Sequence, residues 1–523
     1  MEESSEGGLG DKKYFERTRS NEEDFRDDKN QLMKSKGQRM SRRAFMIRST
    51  GAIVGASALG EWGAKAVEKL GVGHQSTGVR AGEMTEKSAV IWVRITGAAG
   101  RNDGGRVIAS KAETILGPVA DLEGACPGMA GRVRVRYGPA GGGEAVTTEW
   151  VEVGMGTDFT HHFRIEGLKA GTDYAYESET VGLDGELPGT MLGKFRTAPG
   201  ASAVSEVGFC VMSCQGYPDR GHPDGHGIYP AMLALKPSFA CLTGDLVYYD
   251  NDPPRATSLE LARYHWQRMF SLPRLVEFNR QVGTYWLKDD HDTLNDDAWP
   301  GAKMGSLTFA EGQRIFREQA PMGGGMSYRT IRWGRDLQIW LTEGRDFRSP
   351  NKQADGPEKT IWGVEQKAWF QRTVKESDAT WKVLISPTPL VGPDRRGKND
   401  NHANAGYAHE GDELRAWIQA NVADHFFVIC GDRHWQYHSV HPETGLHEFS
   451  VGAASDEHAG GSPGENLQYH RFHRVKGGFL AVKVKRVGEK GVLSFEHRDL
   501  RGAVVYAWSA ERKWVDGSPQ SKR

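Results

Sequence analysis

From about Gly78 to Pro199 the chain falls into short apolar runs of strand length divided by glycine-rich turns. The pattern predicts strands over 88–95, 131–137, 149–153, 160–165, 174–179 and 193–197. Short strands at this spacing predict a small all-β sandwich over 76–199. The Gly/Ala-rich stretch 97–131 reads as a long loop insertion, and 197–202 as a linker.

After residue 204 the pattern changes. Continuous apolar runs at 207–212, 239–243, 283–287, 337–342, 381–386 and 426–430 predict strands buried on both faces. Between them, 259–270, 309–320, 364–375 and 413–422 read as helices. This alternation predicts an α/β layered domain over 204–514, whose tail from 478 returns to β with a turn at Lys490-Gly491.

Composition adds limits. A chain of 523 residues exceeds one ordinary core, which agrees with two domains. A net charge of -1 gives no basic field to attract nucleic acid. Five scattered cysteines do not make a disulfide framework. Cys210, Cys241 and Cys430 read as small buried hydrophobes inside strands, whereas Cys214 lies just past a strand end.

The amino end carries a different message. Residues 1–40 are highly charged and poor in apolar groups, which predicts a disordered leader. Over 41–66, Ser41-Arg42-Arg43-Ala44-Phe45 precedes a mildly apolar stretch and the small-x-small triplet Ala64-Lys65-Ala66. The twin arginines followed by Phe resemble a twin-arginine export signal. A periplasmic or secreted protein handled by that export machinery is the expectation; the competing reading is a basic amphipathic segment of a cytosolic protein. No other segment has the roughly 20 apolar residues of a membrane span.

Two strands stop the same way. Ala240-Cys241-Leu242-Thr243 leads into Gly244-Asp245, with Tyr248 three residues on. Phe426–Cys430 leads into Gly431-Asp432, with His434 two residues on. Open α/β sheets place ligands at the carboxyl ends of such strands. Ser213-Cys214-Gln215 ends another strand, and Asp289-Asp290-His291-Asp292, then Asn295-Asp296-Asp297, ends a third. Carboxylates and imidazoles on one sheet edge suit divalent or trivalent cations. Two cations about 3.5–4 Å apart grip a phosphoryl group and bring a bound water's pKa towards about 7. Singly, each piece has a plain alternative: a chance Gly-Asp turn, or a solvated loop with helix-capping acids.

The ordered set Ser213-Cys214-Gln215, Gly244-Asp245-x-x-Tyr248, Asp289-Asp290-His291-Asp292 and Gly431-Asp432-x-His434 resembles the alkaline phosphatase D family, the PhoD-like metallophosphatases. Gly78-Val79-Arg80-Ala81-Gly82 is similar to the start of that family's amino-terminal domain, and Trp362–Trp369 to one of its helix starts. The resemblance implies a calcineurin-like α/β sandwich preceded by a fibronectin type III-like β domain, which the piece 167–176 with Tyr174 also suggests. It implies Fe3+ and Ca2+ as cofactors. Cys214 and Tyr248 resemble the ferric ligands, and Asp245 the bridging carboxylate. Asp290, Asn295, Asp432 and His434 resemble the remaining ligands, with Asp289 the alternative to Asp290. His291 then faces phosphate as stabiliser or general acid. The chain departs from the family in having Glu343-Gly344-Arg345 for Asp-x-Arg, in Arg433 between the last two ligands, and in Asp296 after Asn295. Arg345 or Arg348 is a candidate clamp on phosphate oxygens; the plain reading is a salt-bridged surface arginine.

The leading expectation is an exported phosphoesterase in which a metal-held hydroxide attacks phosphorus. The alternatives are a phospholipase D-like or wall-polymer phosphodiesterase, with Trp299, Trp333 and Trp435 as rim aromatics, or a binding module with a degenerate metal site. If 41–66 is an export signal, replacing Arg42 and Arg43 by Lys blocks export; fractionation that finds the doubly substituted protein still secreted overturns this.

Overall fold

The structure is a computed structural model and describes residues 72–513, apart from Thr114 and Glu186. The expected leader and export signal lie outside the described residues. Two large sheets stack face to face. One has nine strands and the other seven.

The centre of the nine-stranded sheet is Val207–Met212, Phe239–Thr243 and Thr284–Leu287, all parallel. In the seven-stranded sheet, Leu337–Leu341, Trp381–Ser386, Phe426–Cys430 and His447–Val451 are parallel in turn. Side chains alternate across each strand, so the central strands feed two cores. Phe209 and Val211 face inward with Ile339, Leu341, Val383, Ile385, Phe427 and Ile429. On the outer face, Cys210, Met212 and Leu242 meet helices Leu259–Phe270, Pro273–Gln281 and Phe309–Gln319. Leu384 and Val428 do the same against Gly363–Glu376 and Ala408–Val422. The result is a four-layer α/β/β/α sandwich, with each fully buried large apolar side chain contributing about 1.5–3 kcal/mol.

Helix starts follow their caps. Ser258 accepts the Leu261 N–H, and Thr308 forms a capping box with Glu311. The helix expected over 413–422 begins at Ala408 instead. Its first turn carries Glu410, which is buried and accepts the Ile361 N–H and the His402 ring nitrogen. A charged residue turned inward hides a helical turn from a hydrophobicity reading. The turn expected at Lys490-Gly491 lies two residues earlier, because Val487 pairs with Lys490 and Gly488 takes the left-handed φ of 58°.

The amino-terminal region is all-β, but its strands divide. Gly131–Pro139, Asp173–Gly182 and Gly189–Arg196 belong to a separate five-stranded sheet. Tyr174 there accepts the Lys169 N–H on its hydroxyl, as a tyrosine corner does. Arg80–Gly82, Ala89–Arg94 and Thr160–Ile165 instead extend the nine-stranded sheet, Gly82 pairing in parallel with Thr284. The segment 76–199 is therefore not a free-standing sandwich: the edge of the 284–287 strand recruits part of it. Among the described residues no helix is long and apolar enough to cross a membrane.

Burial alone would raise the Glu410 carboxyl, but His402, the Thr360 hydroxyl and the Ile361 N–H outweigh it and hold it at about 2, below its usual 4.5. A depressed carboxyl contributes stability above its unfolded pKa and loses it as pH falls from about 4.5 to about 2. At neutral pH the difference is worth roughly 3 kcal/mol. Glu410→Gln is expected to lower neutral stability by that order and to flatten the loss across that window, read by denaturant unfolding at a series of pH values.

Candidate metal centre

The parallel strands of both sheets end on the same edge, and there the chain bends sharply. Cys214, Asp245 and Asp432 all have left-handed backbones, with φ of 53°, 55° and 64°. A non-glycine residue held this way costs about 1–3 kcal/mol and marks a position the surroundings enforce. The two Gly-Asp pairs use glycine differently. Gly244 has φ 85°, so it makes the turn itself. Gly431 is there for close approach: a Cβ on it would lie 2.6 Å from Ser213 Oγ, 2.6 Å from the Thr243 carbonyl oxygen and 2.9 Å from that of Pro387.

This approach joins the two strand-end sets. Cys214, Asp245 and His434 bring donor atoms within 4.8 Å of one another; so do Asp245, Asp289 and Asp432, and Asp245, Asp290 and His291. Asp245 is common to all three. The Cys214 thiol lies 3.5 Å from Asp245 Oδ2. The Tyr248 hydroxyl is 3.2 Å from the same oxygen and 3.3 Å from His434 Nε2. Asp289 and Asp290 both reach Asp245, but they differ. Asp290 accepts the His291 N–H on one oxygen and the Asp297 N–H on the other. Asp289 Oδ2 is buried without a hydrogen bond, as is Asp245 Oδ1.

Asn295 does not join this group through its hydrogen bond: its amide donates to the Asp296 carbonyl at the rim. His291 is buried with Nδ1 at 2.6 Å from Asp250 Oδ1. Arg345 is no surface arginine. It is 1% exposed, with Nε 2.5 Å from Asp289 and Nη2 3.3 Å from Asp290, so most of its fork is committed to carboxylates. Arg433 turns away from the rim into ion pairs with Asp394 and Asp400, both at 3.1 Å, and also pairs with Asp432. Of the expected rim aromatics, Trp333 and Trp435 are each 1% exposed and belong to the core; only Trp299, 37% exposed, reaches the surface.

Burial, then Asp245, pushes the Cys214 thiol well above its ordinary range. Burial, Asp245 and Cys214 do the same to the Tyr248 phenol. Burial raises Asp432 against the pull of Arg433, and Asp400 and Asp289 add to the rise. Such crowding of buried anionic donors with unpaired oxygens is what cations relieve. The donor chemistry fits metal ions on two sides: sulfur, phenol and imidazole on one, carboxylates on the other.

The sequence pattern of the PhoD-like phosphatases matches residues 209–503, more than half of the chain. The chain belongs to the PhoD-like phosphatase family. Membership makes it a phosphoric ester hydrolase, and family and fold together imply metal ions at this edge. It is similar to a solved structure of PhoD, with 16% identity over 85% of this chain and 93% of that one and a TM-score of 0.63. It is also similar to the purple acid phosphatase PPD1 from yellow lupin (Lupinus luteus) seeds, with 12% identity over 83% of this chain and 74% of that one and a TM-score of 0.58. At these identities the likeness is one of fold, and that fold is the calcineurin-like sandwich. No curated protein matches the chain.

Sequence reasoning missed His458. It sits on the loop after strand His447–Val451, with Nε2 2.9 Å from the Tyr248 hydroxyl and Nδ1 2.8 Å from Asp219. It also missed Asp250 behind His291. The signal for His458 was the same strand-end rule, because 447–451 runs parallel beside 426–430 and opens on the same edge.

A methyl group at Gly431 would strike backbone oxygens that cannot swing aside. Gly431→Ala is expected to destabilise the protein by about 1–3 kcal/mol and to lower its bound metal, read by thermal unfolding and metal analysis. Wild-type stability and metal content would remove the close approach as the element that builds the site.

Proposed function

We propose that this PhoD-like phosphatase is an exported, metal-dependent alkaline phosphatase or phosphodiesterase of the D type. The observation that carries the reading is the gathering of a thiol, a phenol and an imidazole around one side of Asp245 and of further carboxylates around the other. Cys214, Tyr248, Asp245 and His434 would hold Fe3+, since anionic sulfur and oxygen donors balance a trivalent charge. Asp245, Asp290, Asp289 and Asp432 would hold Ca2+, an oxygen-seeking cation. When bound, the cations supply an activated water and neutralise charge on the phosphoryl group.

The protein's own residues have separate tasks. Asp250 fixes the His291 ring through Nδ1 and leaves Nε2 to approach phosphate oxygens or the leaving group. Arg345 balances Asp289 and Asp290 and keeps their carboxylates in place, and its buried Nη1, without a hydrogen bond, is the atom left over for an anion. The twin arginines and the segment behind them support export, a route compatible with a protein that folds around its metals first.

The test is metal analysis of the purified protein beside a panel of phosphate mono- and diesters. Iron and calcium with turnover of either ester class is the expected result. Cys214→Ala is expected to lose the iron and to lower turnover by at least the 10–100-fold seen when metal-site support is removed. Full iron and full activity in that variant would take Cys214 out of the ligand set, and turnover that survives calcium chelators would point to another metal pair.

A further inference from the structure

Besides the neighbouring Cys214 thiol, the Tyr248 hydroxyl meets three side chains. Asp245 and His434 each belong with Cys214 to one metal-compatible group; His458, the nearest at 2.9 Å, belongs to none of the groups described above. We propose that His458, oriented by Asp219, is a positioning residue that fixes the Tyr248 phenol and the His434 ring on the iron side of the centre. This rests on the iron reading given above.

Several features show that the contact is built rather than incidental. Asp219 Oδ2 lies 2.8 Å from His458 Nδ1. An ionised carboxylate only accepts, so Nδ1 carries a proton, and Nε2 is aimed at the Tyr248 oxygen. The His458 ring stands edge-on to Tyr248 at 4.9 Å and lies against His434 at 4.3 Å, so one ring sets two neighbours. The loop that carries it is pinned at both ends to the centre. The Ala454 N–H donates to the Cys214 carbonyl at 3.1 Å, and the Gly460 N–H to the His434 carbonyl at 3.1 Å. Gly216 keeps the space open, because a Cβ there would come within 2.9 Å of His458 Nδ1 and 3.1 Å of Asp219 Oδ2. Histidine and carboxylate pairs behind a ligand typically tune metal affinity by about 10–100-fold.

The experiment loads the full-length protein, His458→Ala, Asp219→Asn and His222→Ala with ferric iron alone. It records the tyrosinate-to-iron absorption band and the iron dissociation constant by chelator competition. The expected result is a shifted band and iron held about 10–100-fold more weakly in His458→Ala. Asp219→Asn should shift the band in the same direction by less, and His222→Ala, on the exposed part of the same turn, should match wild type. A wild-type band and wild-type affinity in His458→Ala overturn the proposal. If His458→Ala does not fold, the near-isosteric Asp219→Asn decides on the same two readouts. A wild-type protein that binds iron without the band sinks the iron assignment instead, and the ratio of metal affinities between wild type and His458→Ala then decides the role of His458.

Discussion

At Gly431 the seven-stranded sheet comes so near the nine-stranded one that no side chain fits between them. That contact is the constraint on which the centre depends. Cys214, Asp245 and Asp289 come from one sheet and Asp432 and His434 from the other, and two of the three donor groups that share Asp245 draw on both sheets. Sheets packed face to face ordinarily stand about 10 Å apart. Only where their strands end and turn can main chains meet, and the absence of a Cβ at 431 lets the turns touch. The left-handed residues at 214, 245 and 432 are the local cost of aiming three donors into the resulting gap.

The charge arrangement follows from that geometry. Pressing Asp245, Asp289, Asp290 and Asp432 together in a buried site makes neighbouring carboxylates raise one another's cost of ionisation. Arg345 and Arg433 offset part of it from behind. Asp245 Oδ1 and Asp289 Oδ2 nonetheless stay without a hydrogen bond, so the site keeps free donors. Arg433, which departs from the family's pattern, and Arg345, which follows the departing Glu343, therefore serve as internal counterions.

Much of this was legible in the chain, and for a physical reason. Strands buried on both faces must be continuous apolar runs, so Val207–Met212, Phe239–Thr243, Trp381–Ser386 and Phe426–Cys430 have the predicted ends. Residues just past those ends sit on the functional edge almost by construction. What escaped was of two kinds. Buried charged groups such as Glu410 and Arg433 look like surface residues in a sequence, because several of their partners, Ile361 for one and Asp394 and Asp400 for the other, lie far away along the chain. Strands such as His447–Val451 carry polar residues facing internal partners, and this concealed both the strand and His458 beyond it. The Asp289 and Asp290 pair stayed ambiguous for a third reason: adjacent carboxylates at a turn both reach Asp245, and only their hydrogen bonds tell them apart.

The division of the amino-terminal strands has a further meaning. Gly82 meets Thr284 at what would otherwise be the edge of the catalytic sheet, and Ala89–Arg94 and Thr160–Ile165 continue the sheet beyond it. An exposed parallel edge of apolar residues is a template for pairing with other chains. The amino-terminal strands thus close the start of that edge. Cutting the chain between 199 and 204 would therefore divide one continuous sheet rather than separate two folded units.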